Sequence, residues 1–441
     1  MKVSSLDLNS PRWRLIAVVV IFAAAIYRWA PRYDPIGAVP NTGYESLNVA
    51  YSLAHNQGFA NPFKILQSGP TAHLAPIFPF FLSILVRLFG DGSRTLYIVD
   101  WAGIAAFALQ LALWPLLARR LSMGFGSGAL GAMLWLTIGY KSASVWEANY
   151  AAIVIIVLSI GMYNLLTRHC PDRHFYIVAL LWGFAILLLP VVVLPFVVFC
   201  CWLLARPLAT RRQKLAFVII SVGSLMPWTL RNYATFHHLF FIRDNLGLEL
   251  GVSNNECADF SFQVNALTWC YIHPNQDPEE ARRVQELGEY NYNQQRLQEV
   301  KAWISANPER FATLTLQRIV AFWIPNSSGN PATSTVAPNV KAVWISTLLS
   351  LPGLLLLWWR DRVAATICLV WLVFFPPIYY LVQFDLRYRT PIMWATVVPA
   401  CYVFTRLGSD LLYSFRAQDA AENKHRKHQA SCNKKQVVAQ P

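Results

Sequence analysis

The residues of this chain that could do chemistry are few, and most stand at predicted helix ends. Glu45, in Gly43-Tyr44-Glu45, lies just before or at the start of a predicted helix over Ser46 to His55. A helix N-terminus favours a carboxylate in its ionised form, which would keep Glu45 available as a base. Arg231 in Trp228-Thr229-Leu230-Arg231-Asn232-Tyr233, Arg243 in Ile242-Arg243-Asp244-Asn245, and Arg387 and Arg389 in Arg387-Tyr388-Arg389 are four guanidinium groups of another kind of use. Their planar forks donate paired, charge-assisted hydrogen bonds to a phosphate. An acid that accepts a proton and arginines that hold a phosphate would suit transfer of a group away from a phosphate ester.

Secondary candidates surround these. Glu147, in Ser144-Val145-Trp146-Glu147, sits in a short turn between two apolar segments and could hold an acceptor, a metal or a phosphate-bound cation. Asp100 lies four residues into an apolar segment, where a carboxylate is a functional candidate. His73 belongs to Gly69-Pro70-Thr71-Ala72-His73-Leu74-Ala75-Pro76, a proline-rigidified loop placed to bind substrate. Neither His273 nor His237-His238 has a partner at metal-ligand spacing.

The elements that must position these residues are membrane helices. Of 441 residues 55% are hydrophobic and 14% charged, against about 25% charged in an ordinary soluble domain, which excludes a soluble globule. Apolar runs long enough for a hydrocarbon core of about 30 Å cover Trp13 to Trp29, Leu96 to Leu117, Gly128 to Ile138 with its flanks, Tyr150 to Leu166 and Phe175 to Leu189. They continue with Val191 to Ala205, Leu215 to Leu230, Val343 to Trp359, Val363 to Leu381 and Ile392 to Phe404, about ten spans in all. The first run lacks a small-residue cleavage site and reads as a retained helix, not a signal peptide.

The formal net charge of +14 reads as topology before it reads as nucleic-acid binding, and no nucleic-acid partner is expected. Lys2, Arg12 and Arg14, then Arg119-Arg120, Arg168 to Arg173, Arg206 to Lys214, Arg360 and Arg362, and the tail all fall inside under one condition. Pro76 to Gly90 must not cross, and as a re-entrant or interfacial helix it leaves ten crossings with both termini cytoplasmic. The chain then divides into a transmembrane domain over residues 1–407 and a basic cytoplasmic tail over 408–441 that could touch anionic lipid. Two external segments, 31–94 with surface helices and 231–340 as a lid, put Glu45 and all four arginines on one outer face. Cys257 and Cys270 share the second, so a disulfide between them is expected.

The first external segment resembles the GT-C superfamily of integral-membrane glycosyltransferases, in its protein O-mannosyltransferase (family 39) and aminoarabinose transferase branch. The resemblance rests on an ordered set: Gly43-Tyr44-Glu45, Ala50 with Leu53-Ala54, Gly58-Phe59, Gly69-Pro70-Thr71-Ala72, Pro76, Pro79 and Leu88-Phe89-Gly90. It implies an all-α GT-C-like bundle with interfacial helices in the first external loop, and an essential acid there, for which Glu45 stands. Better-known branches carry an Asp-Glu pair where this chain has Thr42 and Gly43, so Asp34 is the reserve candidate. It further implies an inverting transferase of a bacterial inner membrane. Its donor would be a polyprenyl-phosphate sugar, its site periplasmic, and its acceptor protein, lipid A, polymer or glycolipid. A divalent cation held by Glu45 and Glu147 stays open. The rival reading is a lipid or solute transporter or flippase, although no internal repeat supports it.

Overall fold

The structure is a computed structural model that describes residues 10–30, 44–139, 144–325 and 338–408. Among them there is no strand, only two isolated bridges, Ala60 with Pro70 and Ser261 with Phe384. The helices are α1 (Pro11–Trp29), α2 (Glu45–Ala54), α3 (Ile77–Phe89), α4 (Ser93–Arg120), α5 (Phe125–Ile138), α6 (Ala148–Thr167), α7 (Asp172–Leu188), α8 (Val193–Ala205), α9 (Arg211–Gly223) and α10 (Met226–Phe236). After them come α11 (Leu246–Ser253), α12 (Phe262–Leu267), α13 (Pro278–Leu287), α14 (Glu289–Ala306), α15 (Pro308–Trp323), α16 (Pro338–Arg360), α17 (Arg362–Phe374) and α18 (Pro377–Leu381). A 3-10 turn, Leu386–Ile392, leads into α19 over 394–408.

Among the described residues five stretches are long and apolar enough to cross a bilayer: Ser93–Arg120, Ala148–Thr167, Arg211–Phe236, Val340–Arg360 and Arg362–Leu381. Helices also stand at the other predicted spans, but α1, α5, α7 and α8 have only 19, 14, 17 and 13 residues. At 1.5 Å per residue they rise roughly 20 to 29 Å. The chain is therefore a multi-pass helical protein, and the number ten remains an expectation. α3, with 13 residues, lies against α2 and α4, and Arg87 Nη2 donates to Leu53 O at 2.8 Å.

The bundle core is aromatic and small-residue rich, as tight helix contacts in an apolar medium require. α4 packs against α1, α5 and α6, and Gly103 approaches Ser144 so closely that any side chain there would clash. Trp182 and Trp371 stack at 5.8 Å, with the Trp371 indole donating to Ser159 Oγ at 2.8 Å, so the buried N–H is not orphaned.

A second, smaller core sits on the bundle. Phe63 from the first inter-helix segment packs with Leu248, Val252, Val284 and Tyr292 from the second. Arg318, fully buried, fastens this layer by donating to Asn254 Oδ1, Ser253 O and Leu381 O. Cys257 and Cys270 are joined, their Cα atoms 5.7 Å apart, and close the loop before α13.

Candidate functional site

The loop from Gly58 to His73 owes its shape to residues that tolerate positive φ: Gly58 at 81°, Asn61 at 56° and Gly69 at 77°. Asn61 N donates to Gly69 O and Gly69 N to Asn61 Oδ1, both at 2.9 Å, and Thr71 N donates to Phe59 O at 3.0 Å. The second segment then satisfies what the loop leaves over. Arg231 donates to Thr71 O at 2.7 Å and Phe59 O at 3.0 Å. Asp244 N donates to Ala72 O at 3.1 Å, and Arg243 Nε donates to His73 O at 2.7 Å. Glu289, at the start of α14, accepts from Ala72 N at 2.6 Å and from the Thr71 hydroxyl. With every nearby backbone group engaged, His73 has one available position.

That position faces Glu45 at the first turn of α2. His73 Nε2 lies 3.3 Å from Glu45 Oε2, and His273 Nε2 lies 3.4 Å from Glu45 Oε1. Asn275 Nδ2 donates to Glu45 Oε1 at 2.9 Å, and Phe63 lies edge-on to both imidazoles. The two histidine side chains are 1% exposed and Glu45 12%. Burial alone would raise Glu45, but the charge and hydrogen bonding of His73, then His273 and Arg243, outweigh it and hold the carboxyl at about 2. Burial would lower His73, and Glu45 reverses this and raises it. His273 is driven down to about 3 by burial, which Glu45 only partly offsets.

Beside this triad lies an aromatic-lined cationic half. The Arg387 guanidinium sits 3.6 Å from the centre of the Trp146 ring, and Tyr388 stacks on Tyr379 at 4.4 Å. Tyr271 stacks on His273 at 4.7 Å and interacts electrostatically with both Glu45 and Arg387, which ties the halves together. Arg243 also bridges them, since it acts on Glu45 and lies 3.8 Å from Glu249. Glu147, capping α6, contributes to holding Arg387 charged: burial lowers Arg387, and Tyr388, Asp385 and then Glu147 more than reverse it.

The structure thus assembles Glu45, His73, Arg243, Arg387 and Glu147, and reassigns three other candidates. Arg231 is spent on backbone carbonyls and on the Trp228 ring at 4.9 Å, so it holds the His73 loop and presents no free fork. Arg389 is fully buried and donates to Phe322 O, Trp323 O, Thr347 Oγ1 and Thr396 Oγ1. Asp100 is on the exposed face of α4, with Tyr150 as its electrostatic neighbour. Asp34 lies outside the described residues. His273 has no partner at local metal-ligand spacing; the groups that the fold brings to it, His73 and Glu45, are 200 and 228 positions away.

A carboxylate and two imidazoles are a divalent-cation donor set, and the pair expected for that purpose, Glu45 with Glu147, is replaced by Glu45 with two histidines. One ligand atom from each of the three lies within 4.8 Å of the other two, and the Glu45 carboxylate reaches His73 through Oε2 at 3.3 Å and His273 through Oε1 at 3.4 Å. His73 Nε2 faces the Glu45 carboxylate, and its Nδ1 is buried without a hydrogen-bond partner. His273 Nδ1 accepts from Asn275 N at 3.0 Å, so binding through Nε2 requires its proton to move to Nδ1 and that contact to open. With that one adjustment the residues fit a cation.

Comparison with known proteins decides the architecture. An archaeal oligosaccharyltransferase, AglB from Archaeoglobus fulgidus, solved with an inhibitory peptide and a dolichol-phosphate, superposes over 93% of this chain at a TM-score of 0.53 and 12% identity. The chain shares the fold of the matched part of that oligosaccharyltransferase. It spans about half of that enzyme, 52% of its length. The same oligosaccharyltransferase in a complex with Zn and sulfate aligns over 90% of this chain and 50% of its own, at 11% identity and a TM-score of 0.52. ArnT from Cupriavidus metallidurans bound to undecaprenyl phosphate aligns over 90% of this chain and 79% of its own at 14% identity. Its TM-score is 0.33, so the fold assignment rests on the oligosaccharyltransferase. No protein-family model and no curated protein matches the sequence.

Proposed function

We propose that the chain transfers a sugar from a polyprenyl-phosphate donor to an acceptor at the outer face of a bacterial inner membrane, with inversion. The carrying observation is the junction of the Glu45, His73 and His273 triad with Arg243 and Arg387 at one end of a GT-C bundle. The dolichol-phosphate in the oligosaccharyltransferase complex supports a lipid-phosphate donor, because the folds correspond. In a single displacement the acceptor's hydroxyl or amine forms a bond to the anomeric carbon while the bond to the phosphate oxygen breaks. Polyprenyl phosphate leaves with the electron pair, and the acceptor's proton passes to a base.

Arg387, stacked on Trp146, keeps a fork for the departing phosphate, and Arg243 places a second cation between that fork and the triad. Glu45 and the two histidines would hold a divalent cation, zinc by donor type, which when bound supplies Lewis-acid neutralisation of phosphate charge. Glu45 is then a holding and charge-balancing group: a carboxyl held at about 2 is poorly matched to abstract a proton near neutral pH. Asp34 is left as the other candidate base from the first external segment.

The test is release of undecaprenyl phosphate from a panel of undecaprenyl-phosphate sugars by the purified chain and by Glu45→Gln and Arg387→Ala. Release by the wild type, lost in both variants, supports the reading. Movement of the donor across vesicles without release would mean a transporter instead.

A further inference from the structure

His73 Nδ1 and Asp244 Oδ2 are both buried without a hydrogen-bond partner among the described residues. Leaving a buried polar atom unpaired is costly, so two of them on adjoining pieces of chain need a physical reason. Their backbones are in contact. Asp244 N donates to Ala72 O at 3.1 Å, and Arg243 Nε donates to His73 O at 2.7 Å. The Asp244 and His73 side chains also act on each other electrostatically.

The other groups around the His73 ring are committed. Nε2 faces Glu45, while the Phe63 and His273 rings meet the imidazole edge-on at 5.2 and 6.1 Å and offer Nδ1 no oxygen. Glu289 takes the Ala72 amide on one oxygen and the Thr71 hydroxyl on the other. The carbonyls of Phe59 and Thr71 take Arg231, that of Ala72 takes Asp244 N, and that of His73 takes Arg243. Within this group Asp244 Oδ2 is the acceptor that takes nothing. Nδ1 adjoins the ring carbon bonded to Cβ, so it stays nearer its own backbone than Nε2 does, at the level where Asp244 is anchored.

Both orphans are satisfied together if a cation takes Nε2, an event that rests on the reading of Glu45, His73 and His273 as a cation site. A neutral imidazole that gives Nε2 to an ion carries its proton on Nδ1. That N–H then needs an acceptor. A carboxylate in this place fixes the plane of the ring and raises the basicity of the ligating nitrogen. His273 has a different neighbour at the same position, the Asn275 amide, which donates to its Nδ1 at 3.0 Å. Of the two histidines, His73 is therefore the one with a carboxylate at hand to hold it as a ligand.

We infer that Asp244 is a positioning residue for His73, its Oδ2 accepting from Nδ1–H when a cation is bound at Nε2. Asp244 acts through the imidazole and touches neither the ion nor the substrate. The test is the zinc affinity of the full purified chain, measured by competition with a chromogenic chelator, together with the visible absorption of the cobalt-loaded protein. Neither readout passes through sugar transfer. Asp244→Ala should bind zinc about tenfold to 100-fold more weakly than the wild type and shift the cobalt spectrum. Asp244→Asn, which keeps an oxygen to accept the bond, should recover part of that loss. Circular dichroism melting of the metal-free proteins checks that each variant is folded. Equal zinc affinity in the wild type and folded Asp244→Ala overturns the inference and leaves the cation site standing. If Asp244→Ala does not fold, Asp244→Asn decides: weaker binding supports the inference, and zinc held as tightly as by the wild type overturns it. Absence of zinc binding to the wild type removes the cation site and the inference with it.

Discussion

Arg387 and Arg389 are two residues apart in one 3-10 turn, yet their surroundings differ in kind. Arg389 points into the bundle, and its two terminal nitrogens donate to two backbone carbonyls and two threonine hydroxyls. Arg387 points to the site and lies on Trp146, with Tyr388 and Phe262 beside it and only one long contact, 3.5 Å, to Tyr388 Oη. The same division separates Arg231, which closes the His73 loop, from Arg243, which spends one nitrogen on His73 O and keeps the rest near the triad. A guanidinium with its donors consumed supports structure, and one laid on an aromatic face with donors to spare can take a ligand.

Arg389→Met should break the comparison most severely. Phe322 O would lose its side-chain donor, and Trp323 O, Thr347 Oγ1 and Thr396 Oγ1 would each be left with one partner fewer, at a cost of about 3 kcal/mol, and the expected outcome is a lower yield of folded protein in size-exclusion chromatography. His73→Ala or Glu45→Gln should leave the fold in place and lower transfer by about 100-fold or more, with bound zinc, measured by plasma mass spectrometry, falling in step. Arg387→Lys should lower transfer by about tenfold to 100-fold with an unchanged melting temperature, because the charge stays while the planar fork is lost.

The smallest effect concerns Asp244, raised to about 7 by burial and then by Glu289. A carboxyl bound more tightly by its proton in the folded state destabilises that state as pH rises from about 4 to 7. Asp244→Asn should therefore melt a few degrees higher than the wild type at pH 8 and equally at pH 4. A gain at pH 4 as well would indicate better packing instead of relieved charge.

Much of the bundle was legible because apolar runs and basic turns are local signals, and the helices α4, α6, α16 and α17 stand where hydropathy placed them. Glu45 was legible because it precedes an amphipathic helix. His273 was not, since its partners come from a segment some 200 residues earlier, joined only by folding of the second segment over the first. Arg231 and Arg389 could not be told from Arg243 and Arg387 in the sequence for a simpler reason. An arginine at a helix end has the same sequence signature whether its fork meets a phosphate or a carbonyl, and only the carbonyl's position distinguishes them. Cys257 and Cys270 needed no such information, being 13 residues apart in one polar segment.

The central claim is that the triad and Arg387 form one sugar-transfer site. His273→Ala probes it most directly, because His273 stacks on Tyr271 between the two halves and meets Phe63 and His73 edge-on. Release of undecaprenyl phosphate from undecaprenyl-phosphate sugars by purified wild type and His273→Ala is the decisive measurement. The account predicts release by the wild type and a fall of about 100-fold or more in the variant at equal folded concentration. Undiminished release by folded His273→Ala would contradict it.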